Sequence, residues 1–90
     1  MKLDFSKKAT IELIEINKRC SRQIINRIRS LLDEIEEHPR WGTGKPERLK
    51  HFDGETWSRR IDRKNRIIYE IYEEKSTVFV LSLTGHYEKD

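Results

Sequence analysis

Ninety residues give room for one hydrophobic core, since an independent domain usually needs on the order of 100 residues, so residues 1–90 are expected to form a single domain. Charged residues reach 39%, yet 19 Lys and Arg against 16 Asp and Glu leave a net charge of only +3, which excludes a polycationic tail, while a pI near 9.1 leans towards an anionic partner. The longest strictly apolar run, Val78 to Leu81, falls far short of the ~18 residues of a membrane span, and one cysteine with three scattered histidines offers neither an internal disulfide nor a zinc ligand set. The expectation is a cytoplasmic protein with no signal segment, no membrane partner, no metal site and no cofactor.

In chain order, Lys2 to Phe5 alternates apolar and polar side chains and reads as a short strand. Ser6 is a candidate N-cap for a helix from Lys7 to about Asn17, with Ala9, Leu13 and Ile16 as its apolar stripe. Ser21 caps a second helix in which Ile24, Ile28, Leu31, Leu32 and Ile35 recur at three and four residues and form one ridge for a core. That helix must end by His38, because Pro39 disfavours helical backbone in the residue before it. Pro39 to Gly54 holds both prolines and three of the four glycines and reads as an ordered loop. Trp57 to Asp62, Arg66 to Glu73 and Thr77 to about Thr84 then alternate with period two, separated by turns at Arg63 to Asn65 and Glu74 to Ser76. Connections this short require antiparallel neighbours. The architecture expected is therefore α+β: a strand, two helices, and a meander of three or four strands with the helices on one face.

Alternation also sorts side chains by face. Ile67, Tyr69 and Ile71 oppose Arg66, Ile68 and Glu70; Phe79, Leu81 and Leu83 oppose Val78, Val80, Ser82 and Thr84; and Trp57, Arg59 and Ile61 oppose Ser58, Arg60 and Asp62. With the first set of each strand under the helices, Arg60, Arg66 and His86 fall on the uncovered face. Residues 39–72 carry 9 basic and 5 acidic side chains, against 8 and 7 in residues 1–38 and 2 and 4 in residues 73–90, so the positive excess sits in the loop and first sheet strands. Cations beside aromatic rings are what a single-stranded nucleic acid binds.

Four ordered blocks carry a more specific signal: GTGKPERLKH (Gly42 to His51), WSRRI (Trp57 to Ile61), NRIIYEI (Asn65 to Ile71) and the pair His86 and Tyr87. Together they resemble the Txe/YoeB family of toxins in the RelE superfamily, densely from Pro39 to Tyr87 and in outline over the N-terminal strand and helix pair. The resemblance implies a RelE-like fold, an antiparallel β-sheet with two N-terminal helices packed on one face. It implies the toxin of a bacterial type II toxin–antitoxin system, one that enters the ribosomal A site, contacts 16S and 23S rRNA and cleaves the bound mRNA. It further implies a YefM- or Axe-like antitoxin, homodimerisation, and operator DNA bound only through the antitoxin complex. One departure is visible: the family commonly ends at the His-Tyr pair, whereas Glu88, Lys89 and Asp90 follow here and add a net charge of −1.

RNA cleavage without a metal needs a base for the 2′-hydroxyl proton, cations for the phosphorane charge and an acid for the leaving 5′-oxygen. The resemblance assigns these roles to Glu47, Arg66 and His86, with Tyr87 stacking on a base or steering the phosphate, and implies RNA binding by Lys45, Lys50, Arg59 and Arg60. Plainer roles stand beside these: a solvated loop glutamate, an Arg66 paired with Glu70, a Tyr87 ring closing the core edge. Trp41 and Trp57 read as core or dimer contacts, His38 and His51 as loop residues, and Cys20 as a small apolar side chain, buried or between helices. Two other function classes stay open. One is a non-catalytic toxin of the same fold acting on a protein target such as gyrase, as in the ParE branch; the other is an RNA-binding or repressor module.

Overall fold

Both helices begin where a serine can satisfy their orphan N–H groups. In the computed structural model, which describes residues 1–84, the Ser6 hydroxyl accepts from the Ala9 N–H at 2.9 Å and opens α1 (Lys7–Arg19), and the Ser21 hydroxyl accepts from Ile24 at 3.3 Å and opens α2 (Arg22–Glu37). The sites expected at His86 and Tyr87, and the Glu88 to Asp90 extension, lie outside the described residues. α2 stops at His38, which has left helical backbone at φ −137° and ψ 77°, as Pro39 demands. Ile28, Leu31, Leu32 and Ile35 are buried, so the apolar ridge faces the sheet. α1 buries Ala9 and Ile16 but leaves Ile11 and Ile14 exposed. Cys20 is exposed rather than buried, because it occupies the turn between the helices, where the chain is extended at φ −91° and ψ 160°.

The sheet has five strands, β1 (Lys2–Phe5), β2 (Glu47–Arg48), β3 (Glu55–Arg60), β4 (Arg66–Tyr72) and β5 (Thr77–Ser82), in the spatial order β1-β5-β4-β3-β2. β2 to β5 are antiparallel neighbours. The Asp62 carboxylate accepts from the Lys64 and Asn65 N–H groups at 2.9 and 2.7 Å and ties the β3–β4 turn. A single 3₁₀ turn, Glu73–Lys75, closes on Ser76 in the left-handed region at φ 47° and joins β4 to β5. β1 differs from the expected antiparallel pattern: it adds beside β5 in parallel and makes the sheet mixed. Its partner lies some 75 residues away, so the helices and the rest of the sheet form the crossover that a parallel pair needs.

β5 also turns opposite to the face expected for its first half. Val78 pairs with Ile71 and Val80 with Tyr69, and all four join the core, whereas Phe79 pairs with Glu70 on the far side. A β-bulge then shifts the register, so that Ser82 opposes Ile68 and Leu83 returns fully buried to the core. Apolar residues occupy both parities of TVFVLSL, so the strand alone cannot choose its face; pairing with β4 does.

Candidate active site

The segment from Gly42 to Arg48 delivers a carboxylate to the sheet face away from the helices. Gly44 at φ 87° and Lys45 at φ 51° are left-handed, and the Arg60 N–H donates to the Gly44 carbonyl at 2.7 Å. The chain therefore turns after Gly44 and enters β2 beside β3. Glu47 pairs with Ser58, and Ser58 pairs with Ile68, so their side chains share one face. Arg60 pairs with Arg66 on that same face. Glu47 and Arg66 meet there, Oε1 to Nη1 3.6 Å apart, with the glutamate side chain 63% exposed and the arginine 28%. Arg66 thus pairs with Glu47 and not with Glu70, whose carboxylate accepts from the Tyr72 hydroxyl at 3.0 Å. Arg60, Lys50 and Lys45 are exposed. Ser58 is buried beside Glu47, its hydroxyl without a hydrogen-bond partner among the described residues. The arrangement offers an accessible proton acceptor next to two guanidinium groups that can hold a phosphate.

Arg59 does not belong with them. It is 0% exposed, and its five N–H groups are all engaged: Nε donates to the Tyr69 hydroxyl at 3.2 Å, Nη1 to Glu34 at 2.5 Å and to the Thr43 carbonyl at 3.3 Å, and Nη2 to the His38 carbonyl and to the Trp41 carbonyl at 2.9 Å. No donor is left for RNA, which corrects the expected role of Arg59. Tyr69 in turn donates to the Pro39 carbonyl at 2.6 Å. The Thr43 N–H, donating at 2.5 Å, and the Arg59 guanidinium hold the Glu34 carboxyl below the ordinary glutamate value. Gly42, at φ 133°, lies so close to Glu34 and Arg59 that a Cβ would collide with both. Arg59 is the clamp that fixes residues 38–44, the segment leading to Glu47, against α2. The Trp41 carbonyl is pinned while its ring stacks on His38 at 3.9 Å and stays 62% exposed, so it is not a core residue. Trp57 packs against the core and donates to Glu55 at 3.0 Å.

Residues 6–87 match the model of the YoeB-like toxins of bacterial type II toxin–antitoxin systems. The chain belongs to this family. It is similar to the toxin YoeB of Escherichia coli K12, 31% identical over 70 residues that cover 78% of this chain and 81% of that protein. A YoeB/ParE toxin from Agrobacterium tumefaciens superposes with a TM-score of 0.85 at 28% identity, covering 97% of this chain and all of that one. The Staphylococcus aureus YoeB dimer superposes at 0.83 with 26% identity over 97% of this chain and 98% of that one, and the heterotetrameric YoeB–YefM complex of the same organism at 0.80 with 27% over the same shares.

Within this YoeB-family chain, two acidic side chains that tie distant segments together are absent from the sequence motifs. Glu34 anchors the Arg59 clamp. Glu12, on α1, accepts from the Leu83 N–H and the Thr84 hydroxyl, each at 2.7 Å. Its signal was spacing: Glu12 lies three residues after Ala9 and four before Ile16, an acid on the buried stripe of α1. Among the described residues, no group of three or more His, Cys, Asp or Glu side chains is placed to hold a metal ion, and no helix is long and apolar enough to cross a membrane.

Proposed function

We propose that this toxin enters the ribosomal A site and cleaves the bound mRNA as an endoribonuclease. The observation that carries the reading is the meeting of an exposed Glu47 carboxylate and the Arg66 guanidinium, 3.6 Å apart, on the sheet face turned away from the helices. Glu47 takes the proton of the substrate's 2′-hydroxyl as its oxygen attacks the adjacent phosphorus. Arg66 binds the non-bridging oxygens and offsets the charge that builds on them. His86 gives a proton to the 5′-oxygen as the P–O5′ bond breaks, leaving a 2′,3′-cyclic phosphate and a 5′-hydroxyl. Side chains perform every step, so the reaction needs no metal or cofactor. Lys45, Lys50 and Arg60 hold flanking phosphates of mRNA and rRNA, and Tyr87 stacks on a base or steers the phosphate.

A YefM-like antitoxin neutralises the protein by laying an acidic segment across this basic face, a reading supported by the YoeB–YefM pair of S. aureus. Exposed Ile11, Ile14 and Trp41 supply apolar area for a homodimer. The deciding experiment is single-turnover cleavage of mRNA in the A site of programmed ribosomes. A 2′-deoxy nucleotide at the scissile position abolishes cleavage if the 2′-oxygen is the nucleophile; cleavage at the normal rate refutes the mechanism. Growth arrest with intact mRNA refutes the nuclease reading and points to a protein target.

A further inference from the structure

β5 ends at Ser82, and beyond it α1 takes over the strand. The Leu83 N–H donates to Glu12 Oε1 and the Thr84 hydroxyl to Oε2, both at 2.7 Å, so one carboxylate holds two successive residues with both of its oxygens. Upstream, the Ser6 hydroxyl donates to the Leu81 carbonyl at 2.9 Å and the Ser6 N–H to the Val80 carbonyl at 2.9 Å. Helix α1 thus grips the chain on both sides of the bulge that sends Leu83 into the core. Past Ser82, which lies opposite Ile68 on β4, the chain is held by Glu12 rather than by the sheet ladder. His86 follows Thr84 by two residues, and two residues of chain span at most about 7 Å. Wherever Thr84 is held, His86 is confined to that radius.

We propose that Glu12 is a positioning residue for catalysis: from α1 it fixes Leu83 and Thr84, the point from which the chain runs on to His86. The inference rests on the endoribonuclease reading for its effect on rate, and on Glu12 geometry alone for its effect on His86. Glu12 touches neither substrate nor reacting atoms. It acts by limiting how far the general acid two residues on can shift, since a displacement of about 1 Å is enough to cost on the order of 100-fold in rate.

The test compares the full chain with Glu12→Ala, Glu12→Gln and Thr84→Val. In Glu12→Ala the single-turnover rate at saturating ribosomes falls on the order of 100-fold, while the half-saturating ribosome concentration stays within about twofold. Glu12→Gln recovers at least about tenfold of that loss, because its amide oxygen can accept from Leu83 and its amide N–H₂ can donate to Thr84. Thr84→Val, which leaves α1 untouched, lies between and carries the test should Glu12→Ala not fold. Independently of activity, the imidazole Hε1–Cε1 cross-peak of His86 moves in Glu12→Ala while those of His38 and His51 stay in place. Wild-type rates in both Glu12→Ala and Thr84→Val, a Glu12→Gln variant as slow as the alanine, or an unmoved His86 cross-peak would overturn the proposal. A wild-type protein that cleaves no mRNA refutes the nuclease reading instead, and the cross-peak then decides the role of Glu12 by itself.

Discussion

Replacing Arg59 with Met probes the clamp that fixes the segment leading to Glu47. Methionine nearly matches the volume of the aliphatic stem but supplies none of the five donors, so the His38, Trp41 and Thr43 carbonyls and the Glu34 carboxylate lose that partner together. Breaking a buried ion pair from one side costs about 3–5 kcal/mol, because the remaining partners stay desolvated. Glu34 keeps its bonds from Thr43 and is 31% exposed, so water can reach it; this places the cost near the lower end, about 3–4 kcal/mol. Three of the stranded acceptors are backbone carbonyls, so no compensating side-chain change can make them apolar. A domain of this size loses about 4–8 °C of melting temperature per kcal/mol, which gives a fall of roughly 12–30 °C. Thermal and urea unfolding followed by circular dichroism measure it, with a double-mutant cycle through Glu34→Gln expected to show coupling of about 1–3 kcal/mol. Arg59→Lys, with one ammonium in place of a planar fork, should restore no more than about half of the lost stability. A loss below about 1 kcal/mol in Arg59→Met, or strict additivity with Glu34→Gln, would show that the hydrogen bonds of this buried group contribute little and that the clamp is not what holds the segment.

Removing a general base typically slows chemistry by ~10²–10⁴, so Glu47→Ala and Arg66→Ala should each lower the single-turnover rate on the ribosome by such a factor with little change in ribosome affinity; full activity in Glu47→Ala refutes its role. Lys50→Ala and Arg60→Ala should instead weaken ribosome binding and reduce the slope of log K against log salt by about 1 each, which equilibrium binding at several ionic strengths reads out. Acid should destabilise the fold, because Thr43 with Arg59 holds Glu34, and Arg40 with Trp57 holds Glu55, below the ordinary glutamate value. A carboxyl lowered in the folded state binds fewer protons there, so its contribution is complete above the unfolded value of about 4.3 and fades as pH falls through the folded one. Urea midpoints measured from pH 6 to 3 should therefore fall, and less steeply in Arg40→Met, which removes the two bonds of 2.6 and 2.9 Å that hold Glu55; a flat profile refutes the linkage.

What the sequence by itself determined is what short-range chemistry controls. Ser6 and Ser21 cap their helices through bonds to residues three positions on, the ridge of α2 repeats within its own turns, Pro39 acts on its immediate neighbour, and Asp62 ties a turn over three residues. Alternation placed Arg66 on the open face, but its partnership with Glu47 was legible only as a family resemblance, since a loop glutamate and a strand arginine look alike whether or not they meet; their 3.6 Å approach needs β2, β3 and β4 in one register. Only the tertiary structure decided the rest. The parallel place of β1 and the face of β5 depend on partners distant in sequence or on cross-strand register, because a run apolar at both parities carries no preference of its own. Arg59 and Arg60 are adjacent and chemically identical, yet one is buried among carbonyls supplied by an irregular segment and the other faces solvent. Burial of an arginine requires five acceptors converging on one point, and Trp41, Thr43, His38, Glu34 and Tyr69 converge only after α2, that segment and the sheet have packed together.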